Sequence, residues 1–323
     1  MRALICDSYE GIDALRVGDM PDPGPIPGTA IVGVRAAAVN YADVLVVAGR
    51  YQVKPELPFV PGGEFAGVIE SSDGVDGFEI GDRVCGFVGF GAMAEKAVAY
   101  PGAISRLPEH ISFEAGASIP VGYGTSYHAL VDRAGLQAGE TLLVLGAAGG
   151  VGIAAIQIGK ALGATVLAAV SSEEKAEAAR EVGAAEIVRY DQTPLRDGIA
   201  AATSGAGVDV VYDPVGGEAT ELALRSTKWN GRLLVVGFAS GEIPAIPLNL
   251  NLVKGNSVVG VFWGRFNIEE PDRSAANNRV IMDWVADGTL RPLVQKSYPL
   301  EQAVDALRWV ADRKVIGRVV VTP

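Results

Sequence analysis

The chain has 323 residues, 49% of them hydrophobic, which is enough length and apolar content for two domains with buried cores. Its 27 Lys and Arg stand against 38 Asp and Glu, a formal charge of −11, so the molecule as a whole repels phosphate backbones and anionic lipid, and neither nucleic acid nor a membrane is expected as a partner. Two cysteines, Cys6 and Cys85, are too few for a disulfide framework or a four-thiolate zinc site, and both read as small core residues. No basic start leads into an apolar signal segment, and glycines and charges break every apolar run short of membrane-spanning length. A cytoplasmic protein is the expectation.

Residues 1–120 lack helical periodicity and are rich in Gly and Pro, with strand-like runs at 3–6, Ala30–Ala38 and 67–70, so a compact, mostly β domain is expected. Pro21, Pro23, Pro25 and Pro27 mark a stiff surface connection. From Val121 the texture becomes helical and then alternates strand and helix at the spacing of successive βαβ units. The first of these strands, 141–145, is unbroken apolar sequence, as a strand buried on both faces reads. It runs into Gly146-Ala147-Ala148-Gly149-Gly150-Val151-Gly152, in which Ala147, Gly149 and Gly152 keep the A/G-x-G-x-x-G spacing. A helix over 153–162, closed at Gly163, follows. Strand, glycine turn and helix together aim backbone N–H groups at one point, where a pyrophosphate can sit.

The later elements are strands at Thr165–Val170, Glu186–Arg189, 208–212, 232–236 and 257–261. Helices are expected over 172–182, from Thr193-Pro194 with the proline at the first helical position, and near 218–226. Six strands make a doubly wound α/β unit. Beyond Trp263, helices over 274–286 and 301–312 precede a last strand, Arg318–Thr322, expected to return to the first domain.

A chain that prefers NAD places a carboxylate at the end of the second strand, about 20 residues past the glycines. Here that place reads Val170-Ser171-Ser172, with Lys175 one turn on and Tyr190 at the end of the third strand, so NADP(H) is the expected dinucleotide. Another reading makes Ser171 or Ser172 a helix cap with Glu174 completing a capping box and Lys175 solvated; Glu173 and Glu174 also bring negative charge close.

The motifs 38–43 (Ala-Val-Asn-Tyr-Ala-Asp), 49–51 (Gly-Arg-Tyr), 57–67 (Leu-Pro-Phe-Val-Pro-Gly-Gly-Glu-Phe-Ala-Gly), 81–84 (Gly-Asp-Arg-Val), 123–125 (Tyr-Gly-Thr), the glycine turn and 237–241 (Gly-Phe-Ala-Ser-Gly) occur in this order. On them the chain resembles the zinc-free, zeta-crystallin-like quinone oxidoreductases of the medium-chain dehydrogenase/reductase superfamily over essentially its whole length. The resemblance implies a GroES-like, mostly β catalytic domain, 1–120 with 264–323, beside a Rossmann NADPH-binding domain, 121–263. Zinc-dependent relatives carry Cys where this chain has Asn40 and a His between the residues equivalent to Gly62 and Glu64. Here neither ligand is present and no metal is expected. His110 and His128 read as surface or packing residues.

Metal-free hydride transfer from NADPH to an electron-poor acceptor, a quinone or enone, is the activity so implied, with Asn40, Asp43, Tyr51 and Tyr123 as candidate catalytic residues. Tyr51 reads equally as a lid over the nicotinamide and Asp43 as an anchor of its own loop. The cofactor residues are Ala148, Gly149, Gly150, Val151 and Gly152 of the turn, Ser171, Lys175 and Tyr190 at the adenosine end, and, by resemblance, Thr125, Phe238, Ser240, Phe262, Trp263 and Arg313. Phe262 and Trp263 read alternatively as core or dimer-contact residues, and Arg313 as a solvated helix end. The competing functions are an alkenal or enoyl double-bond reductase and a non-catalytic NADPH-binding protein. The strand over 257–261 should lie at an open sheet edge, so a homodimer is expected.

Overall fold

The computed structural model describes every residue except Pro25, Gly74 and Asp76. The chain divides into two units, Met1–Val121 with Pro292–Pro323, and Gly122–Arg291. The first opens on an antiparallel pair, β1 (Arg2–Ile5) and β2 (Arg16–Asp19). Pro21, Pro23 and Pro27 then lie outside helix and strand, while Pro25 falls outside the described residues. β3 (Ala30–Ala38) matches its expected span, and every residue in it but Arg35 is buried, as unbroken apolar sequence requires of a strand covered on both faces.

A helix follows that no periodicity announced, α1 (Tyr41–Val47). Seven residues are too few for a 3.6-residue pattern to register. What starts it is local chemistry: the Asn40 backbone N–H donates to Asp43 Oδ2 at 2.7 Å, one half of a capping box. After β4 (Glu64–Ser72), β5 (Arg83–Phe87), β6 (Lys96–Ala99) and β7 (Ile104–Arg106) comes a second unannounced helix, α2 (Phe113–Ala117), capped by the Ser112 hydroxyl. α3 (Pro120–Tyr127) crosses the boundary between the units and continues as a π-helical turn, His128–Arg133.

The second unit alternates β8 (Thr141–Val144), α4 (Gly150–Ala161), β9 (Thr165–Val170), α5 (Glu173–Glu181), β10 (Glu186–Arg189), α6 (Leu195–Ala202), β11 (Val208–Asp213), α7 (Glu218–Arg225), β12 (Thr227–Val235), α8 (Asn249–Lys254) and β13 (Ser257–Gly260). The strands form one parallel sheet in the order β10-β9-β8-β11-β12-β13, the doubly wound arrangement, which reverses direction between β8 and β11. Leu142, Leu143 and Val144 are fully buried between the helix layers, each side chain contributing about 1.5–3 kcal/mol by leaving water. The proline start signal for α6 is off by one position. Pro194 has ψ 135° and stands as the cap, so Leu195 opens the helix.

α10 (Pro271–Ala286), expected over 274–286 as part of the C-terminal tail, belongs to the second unit, and so does α9 (Trp263–Glu269), a helix the sequence did not announce. Their attachments explain why. The Phe266 ring stacks on His128 at 3.9 Å, and Asn277 Nδ2 donates to Asp132 at 2.7 Å. Arg273 adds an ion pair to the same Asp132 at 2.8 Å.

From Pro292 the chain rejoins the first unit as β14 (Val294–Pro299), a 3₁₀ turn (Leu300–Gln302), α11 (Ala303–Ala311) and β15 (Arg318–Thr322). β15 pairs antiparallel with β3, Val320 opposite Ala38, in a sheet ordered β14-β15-β3-β4-β5-β7 with β6 also on β3. The return of the last strand is as expected, and it brings Arg318 to the start of α1. Cys6 and Cys85 are both buried, as expected of core residues.

Candidate functional site

In the second unit the glycine turn sits where its spacing placed it. Gly146 has φ +57°, and a Cβ on Gly152 would lie 2.4 Å from the Gly146 carbonyl oxygen and 2.7 Å from that of Ala147. Only glycine lets α4 start this close to the end of β8. Gly149 caps the helix, with its N–H bonded to Gly146 O at 3.0 Å and its carbonyl to Ile153 N at 2.8 Å. The amides of Gly150, Val151 and Gly152 belong to the first turn, where no intrahelical acceptor exists. A dinucleotide pyrophosphate fits such a terminus. Ala148 is buried beneath the turn.

Two residues that sequence reading passed over hold this turn from below. The Ser126 hydroxyl donates to the Val151 carbonyl at 2.9 Å and lies 2.9 Å from the Tyr212 hydroxyl, both side chains buried. The adjoining Thr125 is half-buried on α3. Nothing in the spacing of Ser126, Val151 and Tyr212 signals the contact, because it joins three separate elements.

At the end of β9, Ser172 is the cap of α5, its Oγ accepting from Lys175 N at 3.3 Å. Position N3 is therefore Lys175, and the capping box expected with Glu174 does not form. The Lys175 ammonium reaches Ser171 Oγ at 3.4 Å, and Tyr190 stands 45% exposed at the neighbouring strand end. Ser171 and Lys175 thus meet, and Tyr190 follows the adjacent strand, its backbone N–H donating to Val170 O at 3.2 Å.

Phe238 and Ser240 lie on the loop after β12, which a second loop supports. Ala239 N and Ser240 N donate to Pro214 O and Val215 O at 3.0 and 2.8 Å, and buried Asp213 accepts from Val215 N, Gly216 N and Thr220 Oγ1 at 2.8, 2.9 and 2.5 Å. Phe262 is 51% exposed, whereas Trp263 is buried with its indole where a Cβ on Gly124 would stand, 2.7 Å away. The core alternative is the one the geometry supports for Trp263. Tyr123 is also a core residue here. It is fully buried, its hydroxyl sits 3.3 Å from Gln157 Oε1, and burial pushes that hydroxyl far up from its usual range. The other three catalytic candidates are Asn40, Asp43 and Tyr51.

Those lie in the first unit around a buried cluster. Asn40 Nδ2 donates to Glu64 Oε1 at 2.8 Å, and Asn40 Oδ1 accepts from Arg318 Nη1 at 2.9 Å. Glu64 is fully buried, pairs with the Arg318 guanidinium and accepts from Val121 N at 2.8 Å. Asp43 is buried beside them. Loss of solvent pushes its carboxyl up to about 6, against the pull of the Asn40 N–H, Arg318 and the Gly62 N–H. The same loss of solvent draws Arg318 down to about 10, with Asp43 opposing it. Burial raises the Tyr51 hydroxyl, and the Asp43 charge adds to the shift. Glu64 and Arg318 were not among the candidate site residues; the only hint was Glu64 inside a family motif. Arg313 is also in this unit, exposed, with φ +58° just past α11.

This donor set does not fit a zinc ion. Both ends of the Asn40 amide are engaged, Glu64 is paired with Arg318, and Gly63 offers no side chain. A Cβ on Gly63 would meet the Phe87 ring at 3.0 Å and the Gly89 carbonyl at 3.2 Å. Among the described residues no three His, Cys, Asp or Glu side chains are grouped so as to hold a metal. His110 is exposed, and buried His128 has Nδ1 2.8 Å from Asp132 Oδ2 in the packing contact described above.

Two family models match the chain. The alcohol dehydrogenase GroES-like domain covers residues 26–109, and the zinc-binding dehydrogenase family covers residues 150–277. Mouse quinone oxidoreductase-like protein 2 is 39% identical over 303 residues, spanning 93% of this chain and 87% of that protein. A probable oxidoreductase from Mycobacterium abscessus matches with TM-score 0.91 at 38% identity over 100% of this chain and 99% of its own. Escherichia coli quinone oxidoreductase complexed with NADPH matches with TM-score 0.92 at 26% identity, covering 100% of both chains.

Proposed function

We propose that this chain, which belongs to the quinone oxidoreductase family of the medium-chain dehydrogenase/reductase superfamily, uses NADPH to reduce a quinone or a similarly electron-poor acceptor without a metal ion. One observation carries the reading: at the place where a metal's ligands would stand, Asn40 is locked between Glu64 and Arg318. A site that lacks a Lewis acid suits an acceptor already electron-poor. When bound, the reduced nicotinamide supplies the hydride. The E. coli relative that binds NADPH supports the cofactor choice, as does the absence of a carboxylate among Val170, Ser171 and Ser172.

The first-turn amides of Gly150, Val151 and Gly152 would hold the pyrophosphate, with Ala148 and Gly149 shaping the turn. Ser171, Lys175 and Tyr190 would hold the 2′-phosphate. Thr125, Phe238, Ser240 and Phe262 would line the remainder, and Arg313 of the first unit is proposed at the adenosine end. In the first unit, Tyr51 and the second N–H of Asn40 Nδ2, the first being given to Glu64, would donate to the acceptor oxygen as charge develops, a contribution of about 2–4 kcal/mol for a well-placed donor. Asp43 would hold Asn40 in place through the Asn40 N–H and keep Tyr51 protonated through its charge.

The chain is further proposed to be a cytoplasmic homodimer. β13 is the outermost strand of its sheet and Val258 is 43% exposed, which supports pairing across a two-fold axis. Among the described residues no helix is long and apolar enough to cross a membrane. Light scattering should give twice the mass of one chain, and a single-chain mass overturns the dimer.

The deciding experiment is loss of NADPH absorbance with 1,4-benzoquinone, 9,10-phenanthrenequinone and an α,β-unsaturated aldehyde. Faster turnover of the quinones is expected. Preference for the aldehyde makes the chain a double-bond reductase, and no oxidation above background with any of the three leaves an NADPH-binding protein.

A further inference from the structure

The corner at the end of β9 carries charges that the cofactor reading leaves unused. Strand register sets Arg189, the last residue of β10, opposite Val170, so it neighbours Ser171. The Arg189 side chain is only 15% exposed, and its guanidinium works as a fork. Nε and Nη2 each donate to one oxygen of Asp191 at 2.7 Å, and Nη1 donates to Glu173. The second Glu173 oxygen accepts from Arg180 Nη1 at 2.8 Å. Glu173 opens α5, two residues ahead of Lys175. Both carboxyls are held below their ordinary range, Glu173 chiefly by Arg180 and Asp191 chiefly by Arg189, so both are ionised at neutral pH.

A phosphate beside Ser171 and Lys175 therefore approaches two carboxylates. We infer that Arg189 is a specificity-determining residue for the adenosine 2′-phosphate: by binding Glu173 and Asp191 together, it keeps their charge from opposing Lys175. Ion pairs whose carboxylates face solvent, as Glu173 and Asp191 do here, add little to folding, so the effect falls on the local field rather than on stability. Lysine could not replace it, because a point-like ammonium cannot reach both carboxylates in one plane. The inference rests on the NADPH reading and adds to it a residue that need not touch the ligand.

Calorimetric titration of the full chain with adenosine 2′,5′-bisphosphate and with 5′-AMP measures the preference without turnover. The wild type should favour the bisphosphate. R189A should cut the ratio of affinities about five-fold at low salt and less at high salt. R189A/E173Q/D191N should regain the ratio, since the carboxylates released by the first substitution are gone. E173Q alone, at an exposed position that tolerates change, should raise it. An R189A ratio equal to the wild type overturns the inference. So does a triple variant as weak as R189A, which would make Arg189 a direct phosphate ligand, or an E173Q ratio that does not rise. A wild type with no preference between the two nucleotides would overturn the NADPH reading and this inference with it.

Discussion

The glycine turn of the second unit and the Asn40–Glu64–Arg318 cluster of the first are built from opposite materials. The turn is backbone: close approach, a positive φ at Gly146 and the first amides of α4, all within seven consecutive residues. The cluster is side chains, and its members lie 24 and 278 residues apart along the chain. A site made of backbone is fixed by local stereochemistry and costs no buried charge. A site made of charged side chains depends on the whole fold to deliver every partner, and it loses stability sharply when one is removed.

The strongest way to break the cluster is Arg318→Met, which strips Glu64 of its cation while keeping the volume. Denaturant unfolding should report a loss of about 3–5 kcal/mol, the cost of a buried charge left unpaired. Next is the pH response. Asp43 has its carboxyl raised from 3.8 to about 6, so between those values the folded protein holds a proton that the unfolded chain has released. Stability should therefore fall as pH rises through that window, by up to about 3 kcal/mol, and thermal melts of Asp43→Asn should show the slope flattened. The turn answers differently. Gly152→Ala places a methyl against the Gly146 carbonyl, at a cost of about 1–3 kcal/mol, with NADPH affinity in fluorescence titration falling about ten-fold or more. Smallest is Ser172→Ala, which removes the α5 cap and should lower stability by about 1 kcal/mol.

What was legible in the sequence follows the same division. Every strand of the parallel sheet was foreseen, because apolar runs bounded by turn residues are local signals, and Thr165–Val170, Glu186–Arg189 and Arg318–Thr322 came out to the residue. Ser171, Lys175 and Tyr190 could be placed for the same reason, each standing at or one turn past a strand end. α1 and α2 were missed because five to seven residues carry no period. α9 was missed for its shortness as well, and α10 was assigned to the tail because the attachments here, Phe266 on His128 and Asn277 on Asp132, join residues more than a hundred positions apart. Glu64 and Arg318 escaped for that reason too. Tyr123 looked like a donor because its neighbours match a motif, and only burial against Gln157 identifies it as packing.

The crowding at Gly63 bears on how this molecule can change. With the Phe87 ring and the Gly89 carbonyl close to where its Cβ would stand, a side chain at position 63 requires both neighbours to give way. A thiolate in place of Asn40 would forgo the hydrogen bonds that the amide makes to Glu64 and Arg318 and set a further negative charge beside Glu64. Acquiring a metal here would therefore take changes at position 40, at position 63 and in the residues packed against it.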